Sequence, residues 1–132
     1  MLKGGCACGR VRYEAEGTPY NATICHCTDC RRSSGAPLVA WFSVPSAGLR
    51  FTAGAPRRFA SSAMAERGFC PDCGTSLTYQ RHDLPEEIDI TTASLDDPDQ
   101  VPPQDHTWAR SRLAWVRIAD GLPVHATIRA RS

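Results

Sequence analysis

Phe69-Cys70-Pro71-Asp72-Cys73-Gly74-Thr75 is the stretch on which the reading of this chain turns. Two cysteines flank a two-residue turn, and a glycine follows where the backbone must bend sharply, so both sulfurs point at one spot and amide N–H groups can face them. That is the form of a zinc knuckle. Two thiolates do not complete a tetrahedral structural site, so the knuckle requires a second pair from a distant part of the chain.

Working outward, the other cysteines fall into two groups, Cys6-Ala7-Cys8 and Cys25-His26-Cys27-Thr28-Asp29-Cys30. Cys-x-Cys in an extended segment puts both side chains on one face, and a turn at Gly9 would let them share a metal, so Cys6 and Cys8 can supply the missing pair. Cys25, Cys27 and Cys30 then remain as a local triad. Three protein ligands and an exchangeable position make a catalytic zinc, whereas four protein ligands leave no room for substrate. The alternative is a second structural zinc closed by a histidine. His26 is a poor ligand for it, because between Cys25 and Cys27 in an extended strand it points to the opposite face, where it is packed or solvated. His82, His106 and His125 stay open as candidates. A thioredoxin-like redox pair at Cys70 and Cys73 lacks its βαβ surroundings, and free cysteines do not ordinarily cluster at ligand spacing.

Turn residues recur along the chain, among them Gly4-Gly5, Gly17-Thr18-Pro19, Ser34-Gly35, Gly54, Gly74, Pro102-Pro103 and Gly121, a spacing that predicts many short strands. Val11 to Ala15, Tyr20 to Ile24 and Ile88 to Thr91 alternate apolar and polar side chains as half-buried strands do, and Pro37 to Val44 and Ser76 to Tyr79 also read as strands. Thr28 is positioned to cap one helical turn through Ser33, stopped by Gly35. The expected fold is mainly β. Asp96 to Asp105 is too polar and proline-rich for a strand and is predicted to be a surface loop. Beyond it, Trp108, Leu113, Trp115, Val116 and Ile118 need a core to join. The 132 residues are expected to form one domain.

With 42% apolar and 22% charged residues and a formal net charge of +1, the composition is that of a folded chain without a field that draws it to nucleic acid or an anionic membrane. The longest apolar stretch, Ala36 to Phe42, is too short to cross a bilayer, and Met1-Leu2-Lys3-Gly4-Gly5 carries no apolar leader pattern. A cytoplasmic location is expected. An odd count of seven cysteines there points to metal ligation rather than disulfides.

Gly5-Cys6-Ala7-Cys8-Gly9, Cys25-His26-Cys27-Thr28-Asp29-Cys30-Arg31 with Ser34-Gly35, and the knuckle occur in the order that resembles the glutathione-dependent formaldehyde-activating enzymes, whose domain is also found in centromere protein V. His106-Thr107-Trp108 and Trp115 through Pro123 resemble the C-terminal part. The resemblance implies a β-tent of small antiparallel sheets around zinc sites. It makes Cys6, Cys8, Cys70 and Cys73 the structural zinc ligands and Cys25, Cys27 and Cys30 the ligands of an open, catalytic zinc, two Zn2+ per chain. It also implies that glutathione adds to formaldehyde, a carbon–sulfur lyase type of chemistry run between a small thiol and a small carbonyl.

Zinc with three thiolates has a formal charge of −1, which suits it to hold an incoming thiolate rather than to activate water. Glutathione carries two carboxylates, and Arg31 and Arg32, directly after the triad, are the candidate cations for them. Trp41, Phe42, His106 and Trp108 are candidates for the pocket wall. The rival readings are a non-catalytic zinc-stabilised module that presents a surface to a protein, and a metal or redox sensor that uses the triad as a labile site.

Overall fold

The computed structural model describes residues 1–129. Ten strands and one short helix follow in the order β1 (Leu2–Gly5), β2 (Arg12–Ala15), β3 (Tyr20–Cys25), α1 (Thr28–Ser34), β4 (Val39–Pro45), β5 (Leu49–Ala53), β6 (Arg57–Ala60), β7 (Ala65–Phe69), β8 (Ser76–Arg81), β9 (Glu87–Thr91) and β10 (Asp105–Thr107). They build two sheets, one of three strands in the order β1-β2-β5 and one of seven in the order β10-β3-β4-β9-β8-β7-β6. The chain is mainly β, as its turn spacing predicts. All pairings are antiparallel except β10 with β3, a parallel pair that sets Thr107 beside Cys25. No helix among the described residues is long and apolar enough to cross a membrane.

The period of β4 explains how one strand serves two cores. Phe42 and Val44 project into the space between the sheets, where they meet Tyr13 and Ala15 of β2, Leu77 of β8 and Ile88 and Ile90 of β9. Val39 and Trp41 project from the opposite face into a second, smaller cluster with Cys25 and Cys30, against which Cys27, Tyr79 and Trp108 pack. Burying the fully enclosed Phe42 or Ile90 stabilises the fold by about 1.5–3 kcal/mol each.

On that second face the register lines up a polar row: Arg67 of β7 stands opposite Tyr79, Tyr79 opposite Asp89, and Asp89 opposite Ser43. The Ser43 hydroxyl donates to Asp89 Oδ1 at 2.6 Å. Burial pushes the Asp89 carboxyl up to about 6, although that hydrogen bond favours its charged form.

Helix α1 departs from expectation at its start. Its N-cap is Cys27, whose Sγ accepts the Cys30 N–H at 3.3 Å, and Thr28 is already the first helical residue. Gly35 ends the helix with φ +64, the left-handed conformation that glycine adopts without a Cβ penalty. Cys6 to Gly9 forms a turn rather than an extended segment, closed by the Gly9 N–H to the Cys6 carbonyl at 3.1 Å. The polar loop after Leu95 holds a 3-10 turn at Pro98–Gln100 and ends where Asp105 opens β10. The C-terminal segment joins the body less fully than its apolar residues suggest: Trp108 packs on the triad cluster, whereas Trp115 is 69% exposed.

Candidate metal centres

Two turns meet to form the first centre. At the end of β7 the chain folds back with Gly74 N–H on the Cys70 carbonyl at 2.9 Å, and Gly74 takes φ +78. Cys73 N–H points at Cys70 Sγ at 3.4 Å. The Cys6 turn repeats the device, with Val11 N–H on Cys6 Sγ at 3.3 Å. Ala7 N–H donates to Thr75 Oγ1 at 3.1 Å and ties one turn to the other. The Sγ atoms of Cys6, Cys8, Cys70 and Cys73 all lie within 4.8 Å of one another, with Cys6 to Cys8 at 3.5 Å and Cys8 to Cys70 at 3.8 Å. A tetrahedron of sulfurs about 2.3 Å from a central zinc has edges of about 3.8 Å, so the spacing fits that ion. Cys6 and Cys70 are buried and Cys8 and Cys73 face solvent. Hydrogen bonds from Thr75, its hydroxyl and then its N–H, hold the Cys73 thiol down to about 5, which favours a thiolate ligand.

The second centre is built from one strand end and one helix start. Cys25 is the last residue of β3, Cys27 caps α1, and Cys30 lies in the first helical turn. Their Sγ atoms lie within 4.8 Å of one another, with Cys25 to Cys30 at 3.4 Å. Hydrogen bonds from the Cys25 and Cys30 thiols hold Cys27 down to about 2, and the same crowding pushes Cys25 far up. Three thiolates so close would repel one another, and a divalent cation is what lets all three be thiolates. The donor set therefore fits a soft or borderline metal such as zinc.

Among the described residues no histidine joins the triad's donor group. His26 lies just past the end of β3 rather than in an extended strand, and it is fully buried and stacked on His106 with ring centroids 5.2 Å apart. Its Nε2 lies 2.9 Å from His106 Nδ1, and His106 Nε2 lies 2.7 Å from Asp120 Oδ2. Burial, and then repulsion from the neighbouring imidazole of His106, holds His26 below its ordinary range, so it is neutral. His82 is exposed, and His125 Nε2 lies 3.5 Å from Asp105 Oδ2.

The candidate wall residues separate. Trp41 lines the triad cluster, while Phe42 lies on the other side of β4 in the main core. Trp108 reaches the cluster with φ +56, a left-handed conformation that is a true outlier for a bulky side chain. Arg31 is half-buried on α1 with Nη2 on Thr28 Oγ1 at 3.2 Å, and Arg32 is exposed on the same helix.

The arginine nearest the sulfurs is one that sequence reasoning passes over. Arg67 is 6% exposed, with Nη2 3.7 Å from Cys30 Sγ and its guanidinium carbon 4.8 Å from the Tyr79 ring centre and 5.9 Å from that of Trp41. The one available signal is its position two residues after Ala65 in a strand that ends at the knuckle, which puts both on the same face of β7.

Comparison with known proteins agrees with this geometry. The family described as glutathione-dependent formaldehyde-activating enzyme matches residues 1–111. A putative glutathione-dependent formaldehyde-activating enzyme of Halomonas elongata is 27% identical over 127 residues, covering 89% of this chain and 81% of its own. An uncharacterized lyase of Schizosaccharomyces pombe is 33% identical over 79 residues, 58% of this chain, and the aligned part spans 56% of that relative's length. The crystal structure of a Rhodobacter sphaeroides protein superposes with a TM-score of 0.61 at 31% identity, covering 80% of this chain and 99% of that one. The three cysteine motifs, the two sulfur clusters they fold into and the match over residues 1–111 lead to one conclusion: the chain belongs to the glutathione-dependent formaldehyde-activating enzyme family.

Proposed function

We propose that this chain is a one-domain, cytoplasmic zinc enzyme that makes or breaks the carbon–sulfur bond between a small thiol, glutathione first, and a small carbonyl such as formaldehyde. The observation that carries the reading is the inequality of the two sulfur clusters, four cysteines gathered from distant turns against three from one short stretch. Cys6, Cys8, Cys70 and Cys73 hold a structural zinc. Cys25, Cys27 and Cys30 hold a second zinc with one position open.

When bound in the triad, zinc supplies a positive centre that keeps a thiol deprotonated at neutral pH. The chain's own residues do the rest. Cys25, Cys27 and Cys30 fix where that centre sits, and the N–H of Cys30 on Cys27 Sγ at 3.3 Å moderates the charge on one sulfur. Trp41, Tyr79 and Trp108 pack about the sulfurs and exclude water, which strengthens every charge interaction there. Arg31 and Arg32 on α1 serve the carboxylates of glutathione. In the forward direction the thiol gives up its proton, its sulfur pair forms the bond to the carbonyl carbon, and the carbonyl π pair moves to oxygen, which takes a proton. The product is a hemithioacetal.

The test joins a metal count to a direct assay. Protein purified without added metal is expected to carry two zincs per chain, one of them removed first by a chelator, and to accelerate adduct formation from glutathione and 13C-formaldehyde in exchange NMR. One tightly held zinc per chain, or exchange no faster than without protein, sinks the reading.

A further inference from the structure

A buried guanidinium ordinarily has a carboxylate partner, because an unpaired charge in a desolvated place costs several kcal/mol. Arg67 has none. Among the described residues no ion pair includes it, and although it is 94% buried by the complement of its 6% exposure, its Nε and Nη1 atoms have no hydrogen-bond partner. Its surroundings are two aromatic rings, those of Tyr79 and Trp41, and one sulfur, Cys30 Sγ, toward which Nη2 points at 3.7 Å. The rings favour a cation over their faces but accept no strong hydrogen bond in the ring plane. Two donors are thus held beside the triad with nothing to receive them, and the register fixes them there, since Arg67 is locked opposite Tyr79 and is followed by Gly68, where any side chain would collide with that of Thr78.

We infer that Arg67 is the anion-recognising residue of the triad site, donating through Nη2 to Cys30 Sγ and offering Nη1, on the same edge of the guanidinium, to the anionic sulfur of the incoming small thiolate. The charges call for it. Three thiolates and a divalent ion carry a formal −1, a fourth thiolate makes it −2, and one buried guanidinium returns the assembly to −1. This inference rests on the metal-thiol reading of the triad, and it gives the thiol's reacting end a cation, Arg67, where Arg31 and Arg32 on α1 make no hydrogen bond to a triad sulfur among the described residues.

The test uses the full chain loaded with Co2+ in place of zinc, whose sulfur-to-metal charge-transfer absorption reports each added sulfur ligand. The four-cysteine centre contributes a constant background. Glutathione is titrated into wild type, Arg67→Met and Arg67→Lys, each checked for two metals per chain and for its thermal melt. Wild type should gain absorption that saturates. Arg67→Met should need roughly 10- to 100-fold more glutathione for half-saturation, the loss expected for hydrogen bonds to a charged group, with Arg67→Lys in between. A purely structural role would lower the melting point and leave the half-saturation point unmoved, and that result in folded Arg67→Met overturns the inference. Loss of the triad metal from Arg67→Met also overturns it, since Arg67 would then serve metal retention. If Arg67→Met does not fold, Arg67→Lys decides, and a wild-type titration curve for it refutes the inference. A wild-type protein that takes one metal, or whose absorption ignores glutathione, fails earlier and brings down the functional reading itself.

Discussion

Removing one sulfur from each centre should have very different costs. Cys70 and Cys8 are 62 positions apart in sequence and their sulfurs are 3.8 Å apart, so a metal held by the first centre would close a loop of nearly half the chain. Treated as a cross-link on the unfolded chain, a loop of that length is worth about 4 kcal/mol. Cys70→Ser also leaves Cys6 Sγ and Cys8 Sγ without a partner for a metal and places a hydroxyl at a position that is 0% exposed, a further penalty of about 1–3 kcal/mol. Against a total stability of about 5–15 kcal/mol, that loss should unfold much of the population or lower the melting temperature by roughly 15–25 °C. Cys27→Ser should behave otherwise. The triad lies within one strand end and one helical turn, so a metal held there would close almost no loop, and serine is itself a favoured helix N-cap that can accept the Cys30 N–H in place of Cys27 Sγ. The expected result is a folded protein with a melt within about 5 °C of wild type, one zinc per chain and no thiol response. Circular-dichroism melts with zinc counts on both variants are the assay. If Cys27→Ser collapses the fold as fully as Cys70→Ser, the division into a structural and an open centre is wrong.

Asp89 is a carboxyl held up at about 6 by burial, so its folded value lies above its unfolded one. Its contribution to stability is full below about pH 4 and is lost as the pH rises through 6; Asp89→Asn should therefore raise stability by about 1–2 kcal/mol at pH 7.5, after discounting for partial exposure, and by little at pH 4, which paired melts at the two pH values will read. Asp105 is the opposite case. Burial pushes it up, but the forked pair with Arg129, both contacts at 2.8 Å, outweighs that and holds it below its usual range, so Asp105→Asn should cost about 1–3 kcal/mol at pH 7 and progressively less as acid protonates the wild-type carboxyl. Gly68→Ala should lose about 1–3 kcal/mol in denaturant titration, because the added carbon meets the Thr78 side chain and the Pro56 ring.

Which parts of this molecule could be read from its residues depends on what each residue has to satisfy. The knuckle and Gly35 declare themselves, since ligand spacing and a left-handed stop are local demands. Strands β2 and β9 show their alternation because one face meets an apolar core, whereas in β3 a register shift between Tyr20 and Thr23 breaks it, leaving Tyr20 exposed and Thr23 buried. Strand β6 shows none, since Arg57, Arg58, Phe59 and Ala60 are all exposed. In β10 all three residues are buried, yet Asp105, His106 and Thr107 are polar and satisfied by partners 14 or more residues away, so composition alone reads as loop. Arg67 hides for a related reason: a charged residue in the buried phase of β7 inverts the pattern that marks the inner face, and only the assembled sheet reveals what it stands against. Thr28 reads as the better cap than Cys27 because a thiol is rarely given that task.

The parallel pairing of β10 with β3 also sets an order of events in synthesis. A chain emerging from the ribosome has Cys25, Cys27 and Cys30 exposed to solvent when the partner of their strand, Asp105 to Thr107, is still about 80 residues from being made. Until then β3 has β4 on one side and an unpaired row of N–H and C=O groups on the other, next to three reactive thiols. Closing that edge is a long-range step of the kind that slows folding. The nascent protein is therefore most open to aggregation and to thiol oxidation in the interval before β10 arrives, and chains shortened before Asp105 would never leave it.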